Sequence, residues 1–250
     1  IGSAKVTEEE KEGIPHHLLD FKEVTEEYTI YHYQKDCREK IKDIQSKNKT
    51  PILVGGTGLY IKAALYDYKL SEEKSTNTYD NLTNEELYEE LKKLDKDIII
   101  DKDNRRRLIR AINYYKENNE SINKNKTNKL LYNVIFIGLT TDRQVLYDKI
   151  NKRVDEMISQ GLLEEVKSFY DKGIKSKPLL NAIGYRELYN YLDGNCTKEE
   201  AIEKIKQNSR RYAKRQYTFF NHQLPVVWFE TDYNNFNNTI EKVASYIDSN

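Results

Sequence analysis

The sequence predicts an α/β fold built around a parallel sheet. Three short apolar runs have the composition of buried strands, and they lie at Pro51–Val54, Asn133–Thr140 and Val226–Phe229. Each run is bounded by turn-forming or polar residues, and long segments with the 3.6-residue period of amphipathic helices separate the runs. Strands that alternate with helices in this way are typical of an α/β fold.

Segments with the helical period account for most of the remaining chain. In each segment, apolar residues recur three or four positions apart, which places them on one side of a helix. Lys116–Lys129 is rich in Lys and Asn and predicts a loop instead. The predicted helices are Tyr33–Ser46, Leu59–Leu65, Asn84–Leu94, Arg106–Tyr115, Gln144–Tyr170 with a break at Gly161, and Glu199–Phe220.

The charged, Asn-rich composition between the first two apolar runs predicts a small helical insertion. The α/β core then comprises residues 1–67 and residues 127–250, and the insertion comprises residues 68–126. No repeat of fixed period is visible, so the sequence does not indicate a solenoid.

The overall composition excludes several classes of protein. The 20 Tyr and 7 Phe residues supply bulky core material, so the chain is not expected to be disordered despite a mean hydropathy of −0.86. The apolar stretch Val134–Leu139 is too short to cross a bilayer. Two cysteines, Cys37 and Cys196, cannot form a disulfide framework, and no His or Cys spacing matches a metal site. We therefore expect a soluble, cytoplasmic protein without a protein-ligated metal.

Two basic clusters stand out against a net charge of zero, to which 41 basic and 41 acidic residues contribute. Lys102–Arg110 contains four arginines and one acidic residue, and Lys204–Arg215 contains six cations and no acid. A phosphate-binding face needs local clusters of this kind rather than a high isoelectric point. Both clusters are equally compatible with solvated helix faces.

A glycine-rich turn follows the first predicted strand. Gly55, Gly56, Thr57 and Gly58 stand between the strand and the predicted helix Leu59–Leu65. Glycines let a ligand approach the backbone, and the start of a helix offers unpaired N–H groups to an anion. The Thr57 hydroxyl could donate a hydrogen bond to a ligand there. Alternatively, Thr57 is only the N-cap of the helix.

The first basic cluster predicts an arginine face on a helix. Arg106 and Arg110 are four residues apart and share one side, whereas Leu108 and Ile109 face the core. Paired guanidinium groups suit phosphate oxygens, because each can bind bidentately.

The segment Asn181–Arg186 predicts a loop with a glycine beside an aromatic and a cationic residue. Tyr185 could stack on a nucleic-acid base and Arg186 could bind phosphate, a frequent pairing in RNA sites. Equally, Tyr185 could belong to the core and Gly184 could be a position of close packing.

The order of these motifs resembles the bacterial tRNA dimethylallyltransferases, also called tRNA isopentenyltransferases. The resemblance extends from Ile1 to about Phe229. The matching segments, in order, are Ile1–Lys5, Ile14–Asp20, Val54–Tyr60, Arg106–Arg110, Ile183–Arg186 and Ala213–Gln216.

The resemblance implies a P-loop-NTPase-like parallel-sheet core and an insertion that contacts the anticodon arm of tRNA. The implied reaction transfers a dimethylallyl group from dimethylallyl diphosphate to N6 of the adenosine 3′-adjacent to the anticodon. The adenosine must leave the base stack, since a stacked amine cannot reach the allylic carbon. The resemblance also implies Mg²⁺ bound through the diphosphate and tRNA as the partner. We further expect no membrane association and a monomer.

Roles for individual residues follow from the same resemblance. Thr57 matches the threonine that contacts the reacting adenosine, and Arg153 matches the arginine that steadies the diphosphate, so both are expected to be catalytic. Phosphate contact is expected from Gly55, Gly56, Gly58, Arg210, Lys214 and Arg215. Contact with tRNA is expected from Arg106, Arg107, Leu108, Ile109, Arg110, Asn181, Ala182, Ile183, Gly184, Tyr185 and Arg186.

The family's opening strand, P-loop and general-base aspartate would all precede Ile1. We therefore expect an N-terminally incomplete chain that is inactive by itself. Two alternatives stay open, namely a non-catalytic tRNA-binding remnant and an adenylate isopentenyltransferase that uses a free nucleotide. The basic clusters favour tRNA over the nucleotide, because a free nucleotide needs no anticodon contacts.

Overall fold

The computed structural model describes residues 1–3, 5–70, 79–123 and 128–250. Helices make up most of the described chain, and two short strands form a sheet. In chain order the elements are α1 (Ile30–Ser46), α2 (Gly58–Leu65), α3 (Asn84–Leu94), α4 (Arg105–Asn118), β1 (Ile137–Thr140), α5 (Arg143–Ser159), α6 (Leu162–Asp171), α7 (Lys177–Asn181), α8 (Tyr185–Leu192), α9 (Lys198–Gln223), β2 (Val227–Glu230) and α10 (Phe236–Asp248).

The two strands pair in parallel, which confirms the predicted α/β class. Ile137 lies opposite Val227, and Thr140 lies opposite Glu230. Gly138 lies opposite Trp228, and a Cβ atom at Gly138 would overlap the indole ring. The glycine therefore leaves room for the tryptophan ring beside β1.

The prediction of a buried strand at Pro51–Val54 is wrong. The segment is not a strand, and the side chains of Ile52 and Val54 are 85% and 86% exposed. A strand needs a neighbour that accepts and donates ladder hydrogen bonds. In the described part of the chain, the sheet contains only β1 and β2, so this apolar segment has neither a pairing strand nor a cover.

The predicted helices are confirmed, with α5 and α6 divided at Gly161 as expected. Gly161 has a φ of +100°, a left-handed conformation that glycine adopts without strain. The loop predicted for Asn181–Arg186 is wrong at both ends, because α7 includes Asn181 and α8 begins at Tyr185. The loop predicted for Lys116–Lys129 is wrong over its first three residues, which complete α4, and residues 124–127 lie outside the described residues.

The chain divides into two compact units. The first comprises Ile1–Tyr28, Ile52–Leu59 and Val134–Asn250, and the second comprises Thr29–Pro51 and Tyr60–Asn133. None of the helices in the described ranges is long and apolar enough to cross a bilayer.

The core of the first unit forms where α5, α6, α8 and α9 pack together. Its fully buried side chains include Leu162, Val166 and Leu188, with Ile205 contributed by α9. The N-terminus of α9 is closed by a capping box, in which the Thr197 hydroxyl accepts a hydrogen bond from the backbone N–H of Glu200. This cap and the packing of its buried side anchor α9, which runs for 26 residues.

The second unit has its own core between α3 and α4. Leu87, Leu91, Leu108 and Ile112 are fully buried there. Elsewhere in this unit, the Arg38 guanidinium donates hydrogen bonds to backbone carbonyls at the end of α2, including that of Ala64 at 3.0 Å. These bonds satisfy carbonyl groups that the end of a helix leaves unpaired.

Candidate functional site

The glycine-rich turn leads directly into α2. The helix begins at Gly58, and the Thr57 side chain immediately before it is exposed. The backbone N–H groups of the first helical turn have no partner within the helix, so the turn is an electropositive feature. Thr57 thus presents a hydroxyl beside backbone donors, as the sequence predicts.

Helix α9 packs against this turn through one face. The Tyr212 hydroxyl lies 3.2 Å from Thr57 Oγ1, and Gln216 Nε2 donates a hydrogen bond to the Gly56 carbonyl at 2.8 Å. A Cβ atom at Gly58 would overlap the Phe219 ring. The glycine requirement at this position therefore comes from a close approach of side chains, in addition to any ligand.

The same part of α9 also presents cations. Lys214 and Arg215 are exposed, and the Arg215 guanidinium lies 5.7 Å from the centre of the Tyr212 ring. These two cations line one side of a cleft of about 450 Å³ on α9. The other residues that line it are Thr218, Phe219, His222 and Gln223.

Helix α5 is joined to α9 by polar contacts. Arg210 donates a hydrogen bond to the Asn151 side chain, and Lys206 forms an ion pair with Asp155 at 2.8 Å. Arg153, between these two partners in sequence, is exposed on α5. Among the described residues, no hydrogen bond or ion pair engages its guanidinium group. Arg210 is thus held in place, whereas Arg153 is available to an anion.

The turn before α8 is organised by a buried carboxylate. Glu187 is 5% exposed and accepts hydrogen bonds from the Gly184 N–H at 2.8 Å and the Arg186 guanidinium at 2.6 Å. Asn208 of α9 donates a third, at 2.8 Å. Burial raises the pKa of the Glu187 carboxyl, but these donors outweigh burial and hold the pKa below its ordinary value.

Tyr185 makes structural contacts. Its hydroxyl donates a hydrogen bond to Glu165 of α6, which also accepts one from the Gly2 N–H at 3.1 Å. Burial and the neighbouring carboxylate raise the pKa of Tyr185, so the phenol stays protonated. The Phe169 ring packs beside it, with 6.3 Å between ring centres. These contacts favour the packing alternative for Tyr185 over stacking on a base.

The arginine helix α4 belongs to the second unit. Leu108 is fully buried and Ile109 is half-buried, which confirms that both face the core. Arg106 and Arg107 are exposed, and the positive charge of Arg106 acts on Tyr60 of the same unit, where it opposes the rise in pKa that burial causes. Arg106 and Arg107 therefore lie on the surface of the second unit.

Structure therefore adds residues that sequence reasoning missed. Tyr212, Gln216 and Phe219 hold the glycine-rich turn, and Glu187 with Asn208 holds the turn before α8. The spacing of the first three residues, four and then three positions, places them on one helix face and could have indicated a shared role. Glu187 stands three residues after Gly184, which is the spacing of a capping box, but no pattern in the sequence links it to Asn208.

The described residues include no group of three or more His, Cys, Asp or Glu side chains arranged to hold a metal ion. The site is instead built from hydroxyl, amide and cationic groups. Such a donor set suits phosphate groups and a nucleobase, since it supplies positive charge and hydrogen-bond donors.

Comparison with known proteins agrees with this chemistry. The sequence model of the IPP transferase family matches residues 1–223. The tRNA dimethylallyltransferase of Anoxybacillus flavithermus is 47% identical over 99% of this chain and 83% of its own length, and that of Geobacillus thermodenitrificans is 46% identical over the same shares.

Two crystal structures extend the comparison to the fold. The tRNA isopentenylpyrophosphate transferase of Staphylococcus epidermidis superposes with a TM-score of 0.72 at 36% identity, over 99% of this chain and 85% of that one. A eukaryotic dimethylallyltransferase acting on tRNA superposes with a TM-score of 0.84 at 26% identity, over 97% of this chain and 67% of that one. The resemblance read from the motifs is thereby confirmed, and the chain belongs to the IPP transferase family.

Proposed function

We propose that this chain is a tRNA dimethylallyltransferase. It transfers a dimethylallyl group from dimethylallyl diphosphate to N6 of the adenosine 3′-adjacent to the anticodon. The observation that carries the proposal is the exposed Thr57 hydroxyl in a glycine-rich turn, which contacts a helix bearing Lys214 and Arg215. The relatives named for this activity cover nearly the whole chain.

The reaction forms a bond between N6 and the allylic carbon and breaks the bond from that carbon to the diphosphate oxygen. N6 loses a proton to a general base, and negative charge grows on the departing diphosphate. Positive groups stabilise that charge, and a hydroxyl can orient the amine for attack. The exposed Arg153 guanidinium is suited to stabilising that charge, and the Thr57 hydroxyl is suited to orienting the amine.

The remaining predicted contacts divide between RNA and phosphate. Arg106, Arg107 and Arg110 are proposed to bind the anticodon arm, within an insertion of residues 68–126. Leu108 and Ile109 support that surface from the core side. Asn181–Arg186 is proposed as a second tRNA contact, and in it Arg186 is the exposed cation. Gly55, Gly56, Gly58 and Arg210 are proposed phosphate neighbours.

Magnesium is proposed to act through the substrate. The described residues supply no carboxylate cluster for an ion, so Mg²⁺ would be held by the diphosphate oxygens and neutralise part of their charge. The contribution of this chain is the set of cations and backbone N–H groups. We further propose that the protein acts as a monomer in the cytoplasm.

A transfer assay tests the function. The complete product of the gene is incubated with labelled dimethylallyl diphosphate and an unmodified tRNA transcript. Label is expected on the adenosine next to the anticodon, and a transcript with guanosine at that position is the matched control. A parallel incubation contains free adenylate in place of tRNA. Label on adenylate but not on tRNA would contradict the proposal in favour of an adenylate isopentenyltransferase.

The same assay tests Thr57. Thr57→Ala is expected to lower the single-turnover rate about tenfold or more, with little change in tRNA affinity. Thr57→Ser keeps the hydroxyl and is expected to retain most of the rate. Equal losses of rate and tRNA affinity in Thr57→Ala would show that Thr57 acts only as the N-cap of α2.

A further inference from the structure

One face of α9 contacts three successive residues of the glycine-rich turn. Tyr212 reaches Thr57, Gln216 reaches the carbonyl of Gly56, and the Phe219 ring covers Gly58. None of these α9 residues is among the groups proposed to bind the substrates. Their contacts nevertheless end on the residue proposed to meet the adenosine and on its two neighbours.

The contacts hold the backbone and the side chain separately. Gln216 and Phe219 hold the backbone. The Gln216 amide donates a hydrogen bond to the Gly56 carbonyl, and the Phe219 ring packs so closely on Gly58 that a Cβ atom there would overlap it. An exposed threonine side chain can still rotate between staggered positions. The Tyr212 hydroxyl, 3.2 Å from Thr57 Oγ1, favours the rotamer in which that hydrogen bond forms.

We propose that Tyr212 is a positioning residue that orients the Thr57 hydroxyl for the transfer, and that Gln216 holds the backbone on which Thr57 stands. The proposal rests on the proposed function, since it gives Tyr212 a task only if Thr57 meets the substrate. When Tyr212 donates the hydrogen bond, the Thr57 proton is left for the substrate. When Tyr212 accepts it, the lone pairs of Thr57 are left for the N6 amine.

The surroundings of Tyr212 suit this role. Tyr212 is 37% exposed, so it lies at the surface beside Thr57 rather than in the core. The Arg215 guanidinium lies 5.7 Å from the ring centre, within the range of a cation–π contact. The aromatic ring is thus held between a cation on its own helix and the threonine across from it.

A double-mutant cycle tests the proposal in the complete gene product. Single-turnover transfer to an unmodified tRNA is measured for Tyr212→Phe, Thr57→Ala and the double variant. Tyr212→Phe keeps the ring and removes only the hydroxyl, so we expect a rate roughly three- to tenfold lower with tRNA affinity unchanged. In the Thr57→Ala background, the same change is expected to have no further effect.

Tyr217→Phe is the matched control. Tyr217 lies on α9, is 48% exposed and packs on Trp228 at 4.8 Å between ring centres. The loss of its hydroxyl is expected to leave the transfer rate at that of the parent protein. Gln216→Met is the second variant in case Tyr212→Phe does not fold. It removes the bond to Gly56, and its rate loss is likewise expected to vanish in the Thr57→Ala background.

The outcomes separate this proposal from the proposed function. If Thr57→Ala is slow but Tyr212→Phe transfers at the parent rate, the role of Tyr212 is overturned and that of Thr57 stands. If the losses in Tyr212→Phe and Thr57→Ala multiply in the double variant, Tyr212 does not act through Thr57. If Thr57→Ala transfers at the parent rate, both roles are overturned.

Discussion

Leu108 belongs to the stretch that is predicted to contact RNA, but its side chain supports that stretch from the core. It is fully buried in the core of the second unit, below the arginines of α4. Leu108→Ala is expected to lower the free energy of unfolding by about 2–5 kcal/mol, because it leaves a cavity. Urea unfolding measures this.

Ile99→Ala is the matched control in the same unit. Its side chain is 87% exposed, so the free energy of unfolding is expected to change by less than about 0.5 kcal/mol. Equal losses in the two variants would contradict the assignment of Leu108 to the core.

Glu187 makes the stability of the protein depend on pH. Its pKa is lowered in the folded protein, so its contribution to stability is present above the unfolded pKa of about 4.3 and is lost as pH falls through the folded pKa. Glu187→Gln is expected to destabilise the protein by about 1–3 kcal/mol at pH 7. The difference from the parent is expected to shrink below about pH 4.

Thermal unfolding as a function of pH measures this, with Glu241→Gln as control. Glu241 is exposed on α10, and the neutral substitution there is expected to have little effect at any pH. A destabilisation by Glu187→Gln that stayed constant down to pH 3 would show that the carboxylate charge plays no part.

At the scale of elements, the packing of α9 on the glycine-rich turn decides which glycines can change. Gly58→Ala is expected to destabilise the protein by about 1–3 kcal/mol, because the added Cβ overlaps the Phe219 ring. Gly55→Ala meets nothing within 4 Å and is expected to be neutral or slightly stabilising. Thermal unfolding compares the two, and Phe219→Leu is expected to relieve part of the Gly58→Ala loss. Equal stability of both glycine variants would show that the Phe219 ring leaves room for a methyl group at position 58.

The elements also show what a sequence can predict. Helices such as α4 and α9 were predictable because their own apolar period and their caps determine them. The absence of a strand at Pro51–Val54 could not be predicted. A strand forms only beside a hydrogen-bonding partner, and local composition does not show whether such a partner is present. The turn at Gly184 was predicted as a loop although Glu187 stands at the capping-box position, and the additional bond from Asn208 could not be predicted because it forms only in the folded chain. In the candidate site, Thr57 could be predicted from its motif. Its contact with Tyr212 could not, because the two residues are 155 positions apart in the sequence.

For the whole molecule, salt dependence measures how the cations act together. The affinity for tRNA is expected to fall linearly with the logarithm of salt concentration, because bound phosphates release counterions. Replacing Lys214 and Arg215 together by Gln is expected to flatten the slope by about one to two phosphate equivalents, each roughly 0.7–0.9 log units per decade. Replacing Arg106 and Arg110 is expected to do the same.

Lys167→Gln is the control for that measurement. Lys167 already forms an ion pair with Asp171 on α6 at 2.7 Å, so its removal is expected to leave the slope unchanged. Filter binding over a range of salt concentrations gives the slopes. If neither double replacement changes the slope, the basic faces are solvated surfaces and bind no phosphate.

The length of α9 has a consequence for cooperativity. Its 26 residues span about 39 Å, and along them it contacts the turn before α8, helix α5 and the glycine-rich turn. Thermodynamic coupling between two ligands is reciprocal. If RNA phosphates on Lys214 and Arg215 order the Tyr212 contact and so favour the adenosine at Thr57, then an adenosine seated at Thr57 strengthens phosphate binding by the same factor. The helix would then make the enzyme discriminate against a phosphate backbone that arrives without the correct base.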